Sequence, residues 1–466
     1  MTTPAQAAPS SDAPLDRAQV ALFAVAFALR VAYLLLEPRC ALTGDEPSWI
    51  EIGRRIGRPA VAFSPLRSDL VFYPPVYPYF VGALFRAFGT MRAVPWAQVV
   101  LGALLVPIVG RVGCLAFGRL VGLLAAAGTA FYPELLWYPA HYWSETVYLV
   151  LLWGAIERTL AADARASRVA AAAAGLLWGL ATLTRELSLY LAPIAALWLL
   201  RPRAGDVPAG GLPAGGRPNR LRPPAGAVAR AALLVLAAAL TVAPWTIRNA
   251  MVFRAFIPVS TMGGLNLWQG NTTLTHLQIY EVLATKGGAV EQDRYCRRMA
   301  RETIAARQPT WIFEKLREQM PEFWKPGSEV LDHLVGREAC GPFDAARLVP
   351  IELVLVLPYL AVLGLFLVGL ARLRFSGAAW LLLLLLAAYN AAHVVAYATT
   401  RFRLPVLPVV FMVAAALVLR RREGSLHPLR GPRAALLAVL VLAALATLAP
   451  GLDELASWRL LTEWGG

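Results

Sequence analysis

Eleven apolar runs set the terms for anything this chain can fold into. They lie at residues 18–36, 93–112, 120–136, 146–163, 169–184, 187–200, 228–246, 348–370, 378–397, 404–419 and 434–449, each dominated by Leu, Ala and Val. A bilayer core is about 30 Å thick and a helix rises about 1.5 Å per residue, so runs of this kind read as membrane-crossing helices whose backbone groups pair internally. The composition agrees, with 58% hydrophobic and 16% charged residues. The expectation is an all-α polytopic membrane protein with about 11 transmembrane helices, and a soluble domain is excluded. The first run reads as a retained helix rather than a cleaved leader. It carries Arg30 and is followed by "LLLEPRCALTG" instead of a small-residue cleavage site.

Charge orients the array. The net charge of +15 sits in alternate loops, at Arg111 and Arg119, Arg158, Arg165 and Arg168, Arg201 to Arg230, Arg372 and Arg374, and Arg420 to Arg433. That pattern puts the N-terminus in the cytoplasm and makes the basic excess an orientation signal, not a nucleic-acid footprint. It divides the chain into a cytoplasmic tail (1–17), a transmembrane module (18–247) with an outer loop (37–92), an extracytoplasmic cap (248–347), C-terminal spans (348–449) and an outer tail (450–466). The Gly/Pro/Arg-rich stretch 201–230 reads as a flexible cytoplasmic linker.

Two stretches need that pattern to decide them. "AAAAGLLWGLATLTRELSLYLAPIAALWLL" is read as a hairpin turning at Thr184-Arg185-Glu186, because one long span would reverse the arginine-rich loop that follows. Its arms are short, so Arg185 and Glu186 are expected below the outer headgroups, facing protein or water. "YPPVYPYFVGALFRAFG" is read as an interfacial helix on the outer face, with Phe72, Tyr73, Tyr77 and Tyr79 at headgroup level. Cys40, Cys296 and Cys340 fall outside and Cys114 inside, which allows but does not require a Cys296–Cys340 bridge. Asn271-Thr272-Thr273 matches a glycosylation sequon, a weak signal by itself.

The ionisable residues gather on one side. Asp45 and Glu46 follow the first span, Glu134 and Glu145 flank the third-to-fourth turn, Arg185 and Glu186 occupy the hairpin, Arg248 follows the seventh span, and Arg401 and Arg403 precede the tenth. Singly, each has an ordinary explanation: arginines snorkel to headgroups and acids cap helices. Together they suit chemistry on a lipid-linked phosphate, with guanidiniums holding the anion and a carboxylate activating a nucleophile. A transporter instead carries its charges near mid-membrane in broken helices, where these spans hold only Arg30.

The ordered pieces "GDE", "YPPVYPYFVGALFRAFG", "WSETVYLVLLW", "GLLWGLATLTRE", "PWTIRNAMVFRAFIPVSTMGGLNLWQGN" and "RFRLPVLPV" resemble the bacterial membrane glycosyltransferases of the GT-C fold, in the group related to protein O-mannosyltransferases and the lipid A aminoarabinose transferase. The resemblance covers residues 18 to 275 and 397 to 408. It implies inverting sugar transfer from a polyprenyl-phosphate sugar donor to an envelope glycan, lipid or protein acceptor, at the outer face of the cytoplasmic membrane. It maps the acid of the first outer loop onto Asp45, as base or orienter of the acceptor hydroxyl, with Glu46 beside it, and the acid of the second onto Glu145. Arg185 and Arg248, and least directly Arg401 and Arg403, would bind the donor phosphate. Tyr73 and Tyr77 would line the substrate path. A divalent metal stays open, since the acids lack a DxD spacing. A lipid-linked sugar flippase and a non-catalytic envelope scaffold are the competing readings.

Overall fold

The computed structural model describes residues 16–37, 42, 44–58, 68–202, 223–335, 345–375 and 377–456, and every element among them is helical. α1 (Arg17–Leu36) starts at Asp16, whose carboxylate accepts the Gln19 N–H. α2 (Glu46–Gly57) and α3 (Val76–Phe88) form a pair of amphipathic helices. Trp49, Ile50 and Ile56 of α2 are buried with Tyr77 and Val81 of α3. Glycine makes this contact close: a Cβ on Gly53 would stand 2.3 Å from Val81 Cγ1, and one on Gly82 2.6 Å from Ile56 Cγ2.

The bundle continues through α4 (Ala93–Phe117), α5 (Arg119–Phe131), the single turn α6 (Pro133–Trp137), α7 (Glu145–Ala164), α8 (Arg168–Thr182), α9 (Ser188–Leu199) and α10 (Ala227–Phe253). Five helices make the cap: α11 (Met262–Gln269), α12 (His276–Ala284), α13 (Ala289–Ala306), α14 (Trp311–Trp324) and α15 (Glu329–Val335). α16 (Ala345–Arg372), α17 (Gly377–Val395), a 3-10 turn at Thr400–Val406, α18 (Leu407–Arg422) and α19 (Pro432–Ala456) close the chain.

All eleven apolar runs are therefore helical, but they differ in reach. Among the described residues six helices are long and apolar enough to cross a membrane: α1, α4, α10, α16, α17, and α18 with its lead-in turn. The bent α5–α6 pair makes a seventh. α7 carries Glu157, Arg158 and Asp163 in its C-terminal half, α8 and α9 have only 15 and 12 residues, and α19 contributes only the shorter apolar stretch Pro432–Ala446, which is why the count of eleven is not reached on length and polarity.

The run at 120–136 is not one helix: it breaks at Tyr132-Pro133 with a 63° bend. Arg30 explains how such a break survives inside the bundle. Its guanidinium, 1% exposed, donates to the carbonyls of Thr129 (3.2 Å), Ala130 (3.4 Å) and Leu135 (3.1 Å), the acceptors that the interrupted ladder leaves over. A mid-span charge thus has a structural partner set.

α18 is the central helix. Every residue from Leu407 to Leu417 is buried, as expected for a helix apolar on all sides, whereas α1 buries only Gln19, Ala26 and Arg30. Trp153 of α7 donates to the Pro405 carbonyl at 3.1 Å and so anchors the turn before α18.

The cap has a small core of Leu265, Trp268, Ile279, Leu283, Cys296 and Ala300. It is seated on the α17–α18 connection at Gly270, where a Cβ would lie 1.4 Å from the Ala396 carbonyl oxygen. Asn271 is 1% exposed, with its amide donating to Leu267 O and Val395 O and accepting from Trp311 Nε1. The sequon asparagine is a cap-to-bundle tie, and no glycan fits there in the folded chain. Arg248, expected beyond its span, is inside α10, which runs on to Phe253. The Cys296–Cys340 pairing, most of the 201–230 linker, the 1–15 part of the N-terminal tail and residues 457–466 lie outside the described residues.

Candidate active site

Where the cap meets the bundle, a cavity of about 320 Å³ collects side chains from distant parts of the chain. Asp45 and Trp49 come from the start of α2, Tyr73 from the approach to α3, and Trp143 and Ser144 from the lead-in to α7. Arg185 and Glu186 come from the α8–α9 turn, and Ser260, Met262 and Tyr280 from the cap and its approach. Glu329 and His333 of α15, Tyr389 and His393 of α17, and Arg401 and Phe402 of the 3-10 turn complete the wall.

Local structure explains how these groups are held. α8 ends at Thr182, and the Leu183 carbonyl accepts the Val76 N–H at 3.0 Å, fastening the hairpin tip to the start of α3. Glu145 is the first residue of α7, where the unpaired N–H groups favour a carboxylate. Thr399 donates to Glu329 at 3.4 Å, linking the turn before α18 to α15.

Electrostatically the centre is Arg401. Its guanidinium stands 3.4 Å from Glu145, 3.4 Å from Glu329 and 3.7 Å from Asp45, and it lies 4.6 Å from the ring centroid of Trp143. Arg185 forms a close ion pair with the same Glu145 oxygen. Among the described residues, three carboxylates thus share two guanidiniums, a cluster able to answer charge of either sign on a bound ligand. Burial, with Asp45 adding to it, pushes the Tyr73 hydroxyl up to about 12, so that phenol is a neutral donor at any ordinary pH.

Of the residues singled out in the sequence, Asp45, Tyr73, Arg185, Glu186 and Arg401 line this cavity, and Glu145 stands directly behind its two arginines. The others are elsewhere. Glu46 is 1% exposed, accepts the Tyr142 N–H at 3.1 Å and faces His141 Nδ1 at 3.5 Å, while His141 Nε2 meets Glu37 at 2.7 Å. It braces the loop instead of facing the cavity. Tyr77 is wholly buried and donates to Gln98 at 3.1 Å, which in turn donates to the carbonyls of Pro139 and His141. Arg403 is buried against Glu134 and two backbone carbonyls. Arg248 lies over Trp245 at 4.8 Å and Phe253 at 5.3 Å, away from the cavity lining.

Glu329, Trp143, His333 and His393 are cavity residues that sequence reasoning missed. Glu329 sits in the cap, 72 positions before Arg401 (401 less 329), and no local pattern couples the two. Among the described residues no group of three or more His, Cys, Asp or Glu side chains is arranged to hold a metal.

No family model and no curated protein matches the chain. Among solved structures it is similar to the oligosaccharyltransferase of Archaeoglobus fulgidus in the apo form, with a TM-score of 0.51 at 15% identity over 93% of this chain and 55% of that one. The oligosaccharyltransferase AglB from the same organism, in complex with an inhibitory peptide and a dolichol-phosphate, aligns at 0.50 with 16% identity and the same coverage. ArnT from Cupriavidus metallidurans bound to undecaprenyl phosphate aligns at 0.40 with 16% identity over 87% of this chain and 78% of its own, a score too low to bear on the fold. The chain spans about half the length of the oligosaccharyltransferases it matches. The likeness shows an all-helical membrane fold of the GT-C kind.

Proposed function

We propose that the chain is a membrane glycosyltransferase. It moves a sugar from a polyprenyl-phosphate donor to a hydroxyl of an envelope glycan, lipid or protein, at the outer face of the cytoplasmic membrane, with the N-terminus cytoplasmic and up to eleven helices in the bilayer. The observation that carries this reading is Asp45 at 3.7 Å from Arg401, in one cavity with Arg185 and Glu329. The fold's likeness to an oligosaccharyltransferase, one of whose structures holds a dolichol-phosphate, supports a lipid-phosphate donor.

Inverting transfer has an acceptor oxygen attack the anomeric carbon while the lipid phosphate leaves, so positive charge gathers on the sugar and negative charge on the phosphate. Arg401 holds three acids, and the contact to Asp45 is both the longest and the one whose acid is most exposed, at 42% against 2% for Glu145 and 20% for Glu329. An arriving phosphate displaces that contact first. Arg401 and Arg185 then face the leaving group, and the released Asp45 carboxylate orients the acceptor hydroxyl and answers the charge on the sugar. Glu145 and Glu329 keep Arg401 in place, Glu46 braces the loop that presents Asp45, and Tyr73 borders the donor.

The test uses purified protein in nanodiscs, a radiolabelled polyprenyl-phosphate sugar and an envelope extract as acceptor. Wild type makes a labelled glycosidic product, and Asp45→Asn loses roughly 10²- to 10³-fold in rate with its thermal unfolding midpoint unchanged. Equal transfer by Asp45→Asn removes the catalytic assignment. A label that changes membrane side without a new glycosidic bond makes the protein a flippase.

A further inference from the structure

One carboxyl in the cavity has a different setting from the rest. Glu186, in the α8–α9 turn, accepts a hydrogen bond from Ser260 Oγ at 3.1 Å, and that hydroxyl accepts the Met262 N–H at 3.4 Å. Its other oxygen lies against the backbone of Gly263, where a Cβ would come within 2.5 Å of it. Among the described residues no cation stands within ion-pair distance of Glu186. The nearby charges on α13, Asp293 and Arg297, are paired with each other at 2.8 Å, and Asp293 also accepts the Gly264 N–H. Asp45, Glu145 and Glu329, in contrast, all share Arg401.

That difference bears on proton transfer. Proton uptake by a carboxylate in an ion pair gives that pair up, whereas a carboxylate with no ion-pair partner takes a proton without that loss. We propose that Glu186 is the catalytic base that removes the acceptor's hydroxyl proton, with Asp45 orienting that hydroxyl. The proposal rests on the glycosyltransferase reading. In the step, the acceptor oxygen bonds to the anomeric carbon, the bond from that carbon to the phosphate oxygen breaks, and the lipid phosphate leaves with the electron pair. The acceptor proton passes to Glu186, which returns it to water after product release. Glu186 lines the cavity, and burial pushes its carboxyl up to about 7, in the range where a positioned base works best. Ser260 and Arg297 oppose that rise, and Asp293 adds to it.

The experiment is the pH profile of kcat/KM for sugar transfer by the full-length protein in nanodiscs, for wild type, Glu186→Gln, Glu186→Asp and Ser260→Ala. Wild type rises through about pH 7 and levels off. Glu186→Gln loses roughly 10²- to 10⁴-fold and its rising limb disappears, with the donor KM changed less than about threefold. Glu186→Asp keeps the limb at a reduced rate. Ser260→Ala, which takes away a hydrogen bond to the ionised carboxyl, moves the limb to higher pH, and it carries the test if Glu186→Gln does not fold. A Glu186→Gln protein that retains the limb within threefold of the parental rate, or a Ser260→Ala limb that does not move, overturns the assignment. A wild-type chain that forms no glycosidic bond fails at the earlier step and removes the functional reading itself.

Discussion

Arg401 and Arg403 stand two residues apart in one 3-10 turn, yet they do opposite things. Arg401 faces the cavity, ringed at 3.4 to 3.7 Å by acids from three other parts of the chain. Arg403, 1% exposed, turns into the protein, donates to the carbonyls of Lys325 at 2.5 Å and Gly327 at 2.7 Å, meets Glu134 at 3.4 Å and lies 3.9 Å over the Tyr359 ring. Ser328 closes this cluster by donating to Glu134 at 2.5 Å. The next residue is Glu329, the cavity acid. One short motif therefore builds both an exchangeable ion cluster and the fastening that holds the cluster's third acid. Charge left in a solvent-filled cavity can trade partners, whereas charge bound to carbonyls inside the core cannot.

The sharpest way to break that contrast is to remove each arginine. Arg403→Ala leaves Glu134 buried without its cation and two carbonyls without donors, which costs about 3–5 kcal/mol and lowers the thermal unfolding midpoint measured in detergent. Lysine does not rescue it, since one ammonium cannot span both carbonyls and the carboxylate in the guanidinium's fork. Arg401→Ala leaves Glu145 still paired with Arg185, so the unfolding midpoint falls less while sugar transfer drops roughly 10²- to 10³-fold. If the two variants lose stability and transfer in the same proportion, the division between cluster and fastening is wrong.

The effects differ in how far the sequence announces them. Helices follow from local composition, so the eleven apolar runs, the hairpin turn at Thr184-Arg185-Glu186 and the helix α3 are legible in order, whereas the glycine contacts between α2 and α3 are not. The α5–α6 break is legible in retrospect from Pro133, but its stabilisation by Arg30 depends on a contact about a hundred positions away. Two adjacent carboxylates, Asp45 and Glu46, read alike in the sequence. The first turn of α2 sends Glu46 inward to the Tyr142 N–H and leaves Asp45 facing the cavity, a choice made by packing against the 138–144 loop. Glu329 and the Glu134–Ser328–Arg403 cluster join segments up to 269 positions apart, and nothing local records them.

A smaller effect separates Glu186 from the acids held by Arg401. With its carboxyl raised from 4.5 to about 7 by burial, Glu186 keeps its proton in the folded chain after the unfolded chain has lost it. Stability from this group is full below about pH 4.5, falls as pH rises toward about 7, and is flat above that. The loss is on the order of 1–2 kcal/mol once the solvent in the cavity is allowed for. Glu186→Gln, which still accepts from Ser260, flattens the profile and gains stability relative to wild type above pH 7. Thermal unfolding across pH 4.5 to 8 checks it, and an unchanged slope in the variant assigns the dependence to other groups.

The smallest change tests where the cavity stops. Arg248 lies over Trp245 and Phe253, donates to Asn249 at 2.9 Å, and is flanked on α10 by Ile247 and Met251, which are 58% and 76% exposed. A cation laid on aromatic rings beside outward-facing apolar side chains is the arrangement of a headgroup anchor. Trp245 does touch the site's frame, because its indole N–H donates to the Val259 carbonyl one residue before Ser260, so a role for Arg248 in donor binding would pass through that contact. Arg248→Ala forfeits a half-exposed cation–π contact, about 0.5–1 kcal/mol, and leaves the donor KM within about threefold. A tenfold rise in donor KM with kcat unchanged means the donor's phosphate reaches α10, and the cavity around Arg401 is then only the inner half of the donor site.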